Sequence, residues 1–555
     1  MRISKILYVL IAIVLFSSCG IERMATKYST VKFTTTPPIL QAHAGKVTLS
    51  LDANFPEKYF AKKATVDFTP VLVYDGGETS FKTITIQGEE ATGGEATIFN
   101  ASGGGFKYKD NISYSKKMMN SSLELRAIAK QKDKEKILGP ISIAKGVIAT
   151  STRVKDNEDL ANNNHGYEYE TILEESATIY FLVNQSNIRT TEKSDDDISA
   201  LKTFTKKGYK THSIEIISYA SPEGSVNMND NVSENRMRST LNYTKRLLRS
   251  MKLDGAQNSD LYTETSVGED WEGFESLMKN SNIKDKRRIN KIVNSISDVE
   301  VREQQIRDLA EIYDAIEDNV LPQLRKATII IRSYEPKRTD EEIAILSTTN
   351  PEILNLKELL FSATLTDNEM TKINIYNEVV KLHNDWRGYN NIACLYLSNN
   401  DLENASSFLE KSENLNKEEK IDILINKGII DARKGNLTNA QSLFDKAKAS
   451  EKNQAILDIR KGEYEKAARF FKKDQSYNGT LAKLMNGSNN ILCNQSNADC
   501  YYLNAIVKTR AGNNEEAINF LAKAINTDST YKKEAVNDLE FINLRANSSF
   551  VEITK

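Results

Sequence analysis

The side chains most often used in catalysis and metal binding are few in this chain of 555 residues, and they do not cluster. The four histidines, His43, His165, His212 and His383, are far apart in sequence. The chain contains no HExxH, GxSxG or phosphate-loop motif, and its cysteines lack the paired spacing of a zinc site. Carboxylates are abundant, but with 27% charged residues chance pairs of acids are expected on every helix. We therefore expect a protein that is not an enzyme and holds neither a metal nor a cofactor.

Cysteine and overall charge also limit the possible partners. Cys493 and Cys500 are seven residues apart, a spacing that allows one local disulfide in an oxidising compartment; two unpaired thiols packed on helices are the alternative. Four cysteines are too few to organise the fold, so hydrophobic cores must hold it. The formal net charge of −2 gives no sign of a basic surface, and we expect no nucleic-acid partner.

The first 19 residues have the features of a secretion signal. Arg2 and Lys5 precede an apolar run from Ile6 to Phe16, which is shorter than the roughly 20 residues that span a bilayer. Phe16-Ser17-Ser18-Cys19 resembles the lipobox of bacterial lipoproteins, which implies a lipid on Cys19; ordinary secretory cleavage is the alternative. The sequence after Cys19 lacks the acidic run that resembles surface-export signals of some Bacteroidetes lipoproteins. Residues 1–19 therefore predict a lipid anchor in the outer membrane, on its periplasmic face.

Residues 32–153 alternate apolar and polar side chains with the period of β-strands. Glycine-rich turns separate these segments at residues 75–77 and 103–105. The apolar positions are Val47, Leu49 and Leu51; Val66 and Phe68; Ile84 and Ile86; Leu123, Leu125 and Ala127; and Ile141 and Ile143. The pattern predicts a β-sandwich domain, in which we expect His43 to lie in an exposed loop.

Residues 170–337 predict an α/β domain in the order β-α-β-α. The first strand includes Ile179 to Val183, and Ser194 is placed to cap the helix that follows. The second strand covers Ser213 to Tyr219, and Ala327 to Arg332 supplies the last strand. One face of the second helix is formed by Met237, Leu241, Thr244 and Leu248.

The segment after the second strand reads SYASPEGSVNMNDNVSENRMRSTLNYTKRLL. It resembles the OmpA-like family, whose members show GHTDxxG followed by NxxLSxxRAxxV. The matching positions are Ser218-Tyr219-Ala220-Ser221 for the first tetrad, then Gly224, Asn229, Val232-Ser233 and Arg236. The resemblance covers residues 177–336 and includes the helical insertion that the family carries in Bacteroidetes. It implies non-covalent binding of peptidoglycan.

In that family an Asp accepts hydrogen bonds from an ammonium group of the cell wall, and an Arg pairs with the neighbouring carboxylate. The resemblance gives the second role to Arg236, although a surface arginine paired with Glu234 or Asp230 is an alternative. The Asp position is Ser221, and losing a charge-assisted hydrogen bond costs about 1.5–3 kcal/mol, so Glu223 is a candidate substitute. The predicted peptidoglycan site is Arg236, Ser221, Glu223 and Asn229. A scaffold that has lost this ligand remains equally open.

Residues 350–548 are helical in pattern and repeat. Ala405 and Ala440 are 35 residues apart, close to the 34-residue period of tetratricopeptide (TPR) repeats, which these segments resemble. The corresponding alanines later in the chain are Ala467 and Ala517, and the expected seam residues are Leu409, Phe444, Phe471 and Leu521. We expect an α-solenoid with a capping helix near Glu534 to Leu544. The resemblance implies a concave groove that receives a protein partner.

These features together predict a multidomain α+β lipoprotein of the outer membrane. In the preferred hypothesis it is a structural adaptor that contacts peptidoglycan through the OmpA-like domain and a protein through the repeats. The alternative is a component of a secretion or surface-fibre assembly whose OmpA-like domain no longer binds peptidoglycan.

Overall fold

The structure is a computed structural model that describes residues 19–162, 164–416 and 418–555. The chain forms two compact units, Met1–Asn164 with Asp367–Lys555, and His165–Thr366. The first unit combines a β domain with the C-terminal helices, and the second is built on a four-stranded sheet. The predicted leader, residues 1–18, lies outside the described residues.

The β domain begins with helix α1 (Cys19–Thr26), whose Ile21 and Met24 are buried. Its strands are β1 (Lys32–Thr35), β2 (Leu40–His43), β3 (Lys46–Phe55), β4 (Thr65–Tyr74), β5 (Gly77–Ser80), β6 (Ile84–Gly88), β7 (Ala96–Ile98), β8 (Gly104–Ser113), β9 (Ser121–Gln131), β10 (Lys134–Ile137), β11 (Ile141–Lys145) and β12 (Val147–Ile148). A short 3₁₀ helix, Thr150–Thr152, ends the domain.

These strands form two curled sheets, each a half-barrel. The five-stranded sheet has the order β1-β3-β2-β12, with β8 on β3; the seven-stranded sheet has the order β10-β9-β4-β6-β7, with β11 on β9 and β5 on β4. The predicted alternation is confirmed, since Val47, Leu49 and Leu51 of β3 are buried while the side chains between them are not. Both sheets contribute to a single hydrophobic core.

The prediction for His43 was wrong. The residue ends strand β2 and is partly buried, with its Nδ1 atom 2.9 Å from the hydroxyl oxygen of Tyr464. Burial, and then the nearby charge of Arg510, lower its pKa below the ordinary value. The end of β2 that carries His43 packs against the C-terminal helices. The local sequence could not indicate this long-range contact.

The second unit contains β13 (Ile172–Tyr180), α2 (Asp196–Lys206), β14 (Thr211–Ala220), α3 (Val226–Ser250), β15 (Tyr262–Glu269), α4 (Trp271–Asn280), α5 (Lys286–Ser295), α6 (Val299–Arg307), α7 (Ala310–Asn319), α8 (Leu321–Leu324), β16 (Lys326–Tyr334), α9 (Asp340–Thr349) and α10 (Leu356–Ser362). The sheet order is β13-β16-β14-β15, with β15 parallel to β14 and the other pairs antiparallel. A mixed sheet with helices is therefore present. Asp195, not the predicted Ser194, caps α2, because its carboxylate accepts the N–H of Asp196.

Two separate hydrophobic clusters hold this unit together. The sheet and helices α2 and α3 share one, which includes Ile216, Leu248 and Ile329. The inserted helices α4 to α8 pack around another, which includes Phe274, Ile289 and other buried side chains of the insertion. The predicted helix face on α3 is confirmed, with Thr244 and Leu248 buried.

The C-terminal helices are α11 (Glu369–His383), α12 (Arg387–Ser398), α13 (Leu402–Leu415), α14 (Ile421–Lys434), α15 (Leu437–Ala447), α16 (Glu451–Lys461), α17 (Tyr464–Phe470), α18 (Tyr477–Met485), α19 (Ala498–Arg510), α20 (Asn514–Thr527), α21 (Thr530–Asn537) and α22 (Ser548–Thr554). A 3₁₀ helix, Leu539–Leu544, follows α21 where the capping helix was expected. The predicted alanines and seam residues are all buried, as a stack of helical hairpins requires.

Cys493 and Cys500 form a disulfide, with their Cα atoms 5.5 Å apart. Of the two alternatives for these cysteines, the structure contains the bonded one. Cys394 on α12 is a buried free thiol, and burial raises its pKa to about 12.

Candidate functional site

A row of buried asparagines lines the inner helices of the repeats. The members are Asn390 on α12, Asn426 on α14, Asn453 on α16, Asn478 on α18 and Asn504 on α19. A buried amide needs hydrogen-bond partners for both its oxygen and its nitrogen. In this row most of those partners come from one short segment of the same chain.

That segment, residues 153–162, directly follows the β domain, and we call it the strap. Asn453 holds it with two bonds: its side-chain oxygen accepts the Asp159 N–H at 2.6 Å, and its amide nitrogen donates to the Asp159 carbonyl at 2.9 Å. The same pair of bonds joins Asn426 to Ala161 (3.0 and 3.1 Å) and Asn478 to Lys155 (2.9 and 2.9 Å). Because these bonds use backbone atoms of the strap, they fix its path without selecting its side chains.

Two more asparagines extend the row, one of which also bonds to the strap while the other binds a different segment. Asn390 donates to the Ala161 carbonyl at 2.9 Å, which completes the coordination of that oxygen. Asn504 binds the backbone of Cys493 in the same two-bond manner, at 2.8 and 3.0 Å. The groove formed by these helices is therefore a site for extended backbone, and in this structure the chain itself occupies it.

Two arginines in the groove select the side chains of the strap. Arg433 of α14 donates to the Glu158 carboxylate at 2.7 and 3.2 Å, and the side chains are only 4% and 1% exposed. Arg460 of α16 pairs with Asp156 and, at 3.3 Å, with Glu158. The two acids stand at alternate positions of the strap, so both face the same pair of cations.

Weaker contacts hold the ends and edges of the strap. Arg153 bonds to Asp538 at 2.8 Å and lies over the ring of Tyr502 at 4.5 Å. Lys452 pairs with Asp159 at 2.8 Å, in a partly exposed position. Leu160 packs against the hydrophobic core of the central repeats, and Val154 packs against that of the last repeats.

Sequence reasoning treated this segment only as a polar connection and missed the asparagines and arginines. A signal exists in the repeats, since Asn390, Asn426, Asn453 and Asn504 each precede the alanine of the following helix by 13 to 15 residues. The segments NKGIIDARKG and NQAILDIRKG also place Asn and Arg seven residues apart, which is two helical turns on one face. Nothing in the repeats points to the strap, because it lies hundreds of residues earlier.

Of the four residues of the predicted peptidoglycan site, Ser221 and Glu223 lie in the turn between β14 and α3, and Asn229 and Arg236 lie on α3. The Ser221 hydroxyl donates to the Glu223 carboxylate at 2.7 Å. That carboxylate receives two further bonds from Arg325, at 2.8 and 2.9 Å. The candidate substitute acid is therefore already engaged by an arginine of the same domain.

Arg236 is 1% exposed, and its guanidinium donates hydrogen bonds to the backbone. It donates to the carbonyl oxygens of Gln185 at 3.0 Å, Tyr219 at 2.9 Å and Leu182 at 3.1 Å. It is thus not the surface arginine of the alternative interpretation, because it is buried between α3, the end of β14 and the loop that contains Leu182 and Gln185. Burial, and then Arg325, lower its pKa to about 10.

Asn229 contacts a cluster of acidic side chains in the same region. It donates to Glu269 at 2.7 Å, and the Trp271 indole donates to the other oxygen of that carboxylate at 2.9 Å. Glu303 of α6 is only 3% exposed, and its Oε1 atom has no hydrogen-bond partner among the described residues. Burial, and then the nearby charge of Glu269, raise the pKa of Glu303 to about 8. No motif or periodicity in the sequence indicated this pair of acids.

Two other features are absent from the described residues. Within that part of the chain, no three His, Cys, Asp or Glu side chains are grouped so that they could hold a metal ion. None of the described helices is both long enough and apolar enough to cross a membrane.

Comparison with known proteins identifies part of the helical region. A family model described as a tetratricopeptide repeat matches residues 387–419, which include α12 and α13. The structure of a tetratricopeptide repeat protein from Parabacteroides merdae ATCC 43184 is similar at 19% identity, covering 36% of this chain and 91% of that chain, with a TM-score of 0.28. No curated protein matches the chain. The predicted TPR repeats are thus confirmed at residues 387–419.

Proposed function

We propose that this chain is a non-enzymatic adaptor of the bacterial cell envelope, held by a lipid on Cys19 and acting through protein contacts of its repeats. The observation that carries the proposal is the groove of the repeats, where buried asparagines bind extended backbone in a row. TPR repeats are modules of protein–protein interaction, and residues 387–419 match that family. The groups in this groove bind and orient a peptide.

The sequence before the β domain supports the anchoring part of the proposal. Helix α1 begins at Cys19, and Ile21 and Met24 are buried in the β domain. A lipid on Cys19 would therefore hold this domain at the membrane surface, without a long flexible connection. We expect labelled fatty acid to be incorporated into the wild-type chain and not into Cys19→Ala. Incorporation into both would contradict the anchor.

The internal pairing in the middle domain favours protein contacts over peptidoglycan. Arg236 donates to three backbone carbonyls, and Glu223 is bound by Arg325, so neither group faces an open ligand site. Peptidoglycan binding is the second candidate function. It is supported by the OmpA-like resemblance and by the hydrogen bond between Ser221 and Glu223 in the turn that follows β14.

One experiment separates the two candidates. The lipidated chain is purified from detergent-solubilised envelopes, with and without prior digestion of the peptidoglycan by a muramidase, and the co-purifying proteins are compared. The adaptor proposal expects the same protein complex in both samples, with Cys19→Ala as the control for envelope association. Loss of the complex after digestion, together with sedimentation of residues 20–555 with purified peptidoglycan, would instead favour the second candidate.

A further inference from the structure

The strap has the chemistry of a ligand and not only of a connection. Its backbone is held by asparagine clamps that accept any side chain, whereas its Asp156 and Glu158 satisfy two arginines of the groove. If the strap left, Arg433 would stay in the groove without a carboxylate, and a buried unpaired charge is strongly unfavourable. Whatever replaces the strap must therefore bring acidic groups of its own.

We propose that the groove of the repeats exchanges the strap for an extended peptide that carries carboxylates at alternate positions. This inference rests on the proposed adaptor function and names the class of partner that the groove takes. The partner peptide would use the backbone clamps of Asn426, Asn453 and Asn478 and place its two acids on Arg433 and Arg460. The strap then serves as a built-in occupant that keeps the groove filled until such a partner arrives.

The contacts of the strap suggest how the exchange begins. Its outer ion pairs, Lys155 with Asp499 and Lys452 with Asp159, are partly exposed, and such pairs contribute little to stability. A cavity of about 420 Å³ opens beside the strap and is lined by Arg433, Arg460 and Val154 together with Gly45 of the β domain. An incoming acidic side chain can reach both arginines through this cavity before the strap has fully left.

A covalently attached occupant competes strongly with a free peptide. Because the strap is part of the chain, its effective concentration at the groove is on the order of millimolar. A free peptide must therefore be present at high concentration, or the strap must be weakened, before exchange is measurable. Both conditions can be tested.

The buried thiol of Cys394 reports directly on the strap. Its Sγ atom lies 3.6 Å from the Ala161 carbonyl oxygen and 3.2 Å from the Asn426 amide nitrogen, inside the groove. Cys493 and Cys500 are joined in a disulfide, so in residues 20–555 Cys394 is the thiol open to labelling. Its reaction with an uncharged thiol reagent measures how often the strap leaves.

The first test uses the wild-type protein, residues 20–555, and two synthetic peptides. One has the sequence of residues 153–162, RVKDNEDLAN, and the matched control has alanine in place of both Asp156 and Glu158. We expect an excess of the acidic peptide to slow labelling of Cys394, because the bound peptide covers this thiol as the strap does, and the control peptide to leave the rate unchanged. An unchanged rate with the acidic peptide, or an equal effect of both peptides, would overturn the inference.

The second test weakens the strap. In the double variant Asp156→Ala/Glu158→Ala, the fluorescent acidic peptide should bind at least about tenfold more tightly than to wild type, because the internal competitor has lost its charged contacts. Adding Arg433→Ala should remove this gain. Equal affinity of the peptide for the wild type and the double variant would count against exchange. The labelling test uses the wild-type chain, so it remains valid even if this variant folds poorly. Failure of both tests would show that the strap occupies the groove permanently. The proposed adaptor function would still be tested separately, by the peptidoglycan digestion experiment.

Discussion

At the scale of single residues, the strap depends most on one buried ion pair. Glu158 and Arg433 are almost completely shielded from water, so each charge relies on the other and on nearby hydrogen bonds. Lys452 and Asp159, one residue further along the strap, form a pair in a partly exposed position. The two pairs therefore allow a matched comparison within one segment.

Glu158→Ala should lower the free energy of unfolding of the first unit by about 3–5 kcal/mol, because it removes the closest carboxylate from the buried Arg433. Asp159→Ala should lower it by less than about 1 kcal/mol. Urea denaturation of both variants measures the difference. Equal losses in the two variants would mean that the buried Glu158–Arg433 pair stabilises the fold no more than the partly exposed Asp159–Lys452 pair does.

The carboxyl pair of Glu303 and Glu269 should make stability depend on pH. Because the folded-state pKa of Glu303 is about 8 and the unfolded value is lower, the folded chain keeps a proton that the unfolded chain loses. Stability of the second unit should therefore fall as pH rises from about 5 to 8, by on the order of 1 kcal/mol per pH unit from this group. Arg307, on the same helix, pairs with Glu303 at 3.2 Å and opposes this rise in pKa.

Glu303→Gln should flatten this dependence, while Glu300→Gln, an exposed position on the same helix, should not. Urea denaturation followed by fluorescence between pH 5.5 and 8.5 makes the comparison. A Glu303→Gln variant with the wild-type slope would rule out Glu303 as the origin of this dependence.

At the scale of elements, five inner helices present one asparagine each to the same groove. Asn453→Ala leaves the Asp159 N–H and carbonyl without their partners, so we expect a loss of about 1–3 kcal/mol in the free energy of unfolding. Asn537→Ala, on the exposed surface of α21, is the control and should cost less than about 0.5 kcal/mol. Chemical denaturation that finds the two variants equal would argue against the clamp.

The elements show how far sequence reasoning reaches. Alternation in β3 and the helical period of the repeats were sufficient to predict those elements, because in both one face is buried. Strand β15 was missed, since YTETSVGE has almost no apolar alternation and half of its residues are exposed. The choice of Asp195 over Ser194 as a cap also could not be made, because neighbouring residues of both types cap helices equally well.

The candidate sites were harder to predict than the elements. The motif identified Arg236, but its guanidinium is directed by the carbonyls of Leu182 and Gln185, whose positions depend on the folded loop. The groove was expected from the repeats, whereas its occupant was not, because the bonds of the strap join residues more than 200 positions apart. Long-range pairing of this kind leaves no periodic trace in one sequence.

At the scale of the whole molecule, the strap should make the β domain and the repeats depend on each other. Trp386 lies in the first compact unit and Trp271 in the second, so each reports on a different unit. The variants Trp271→Phe and Trp386→Phe each leave one tryptophan as the reporter. Adding Glu158→Ala should lower the unfolding midpoint that Trp386 reports and leave the midpoint that Trp271 reports unchanged, because the strap contacts lie within the first unit. Tryptophan fluorescence during denaturation measures each midpoint. A shift of both midpoints would contradict this assignment.

The most direct test of the clamped strap is amide hydrogen exchange resolved to single residues. The N–H groups of Lys155, Asp159 and Ala161 are bonded to buried asparagines, so they should exchange as slowly as amides of the repeat helices. Asn453→Ala should release Asp159 selectively, while the amide of Lys155 stays protected by Asn478. Exchange of all three amides in the wild-type chain at the rate of an unstructured peptide would contradict the account.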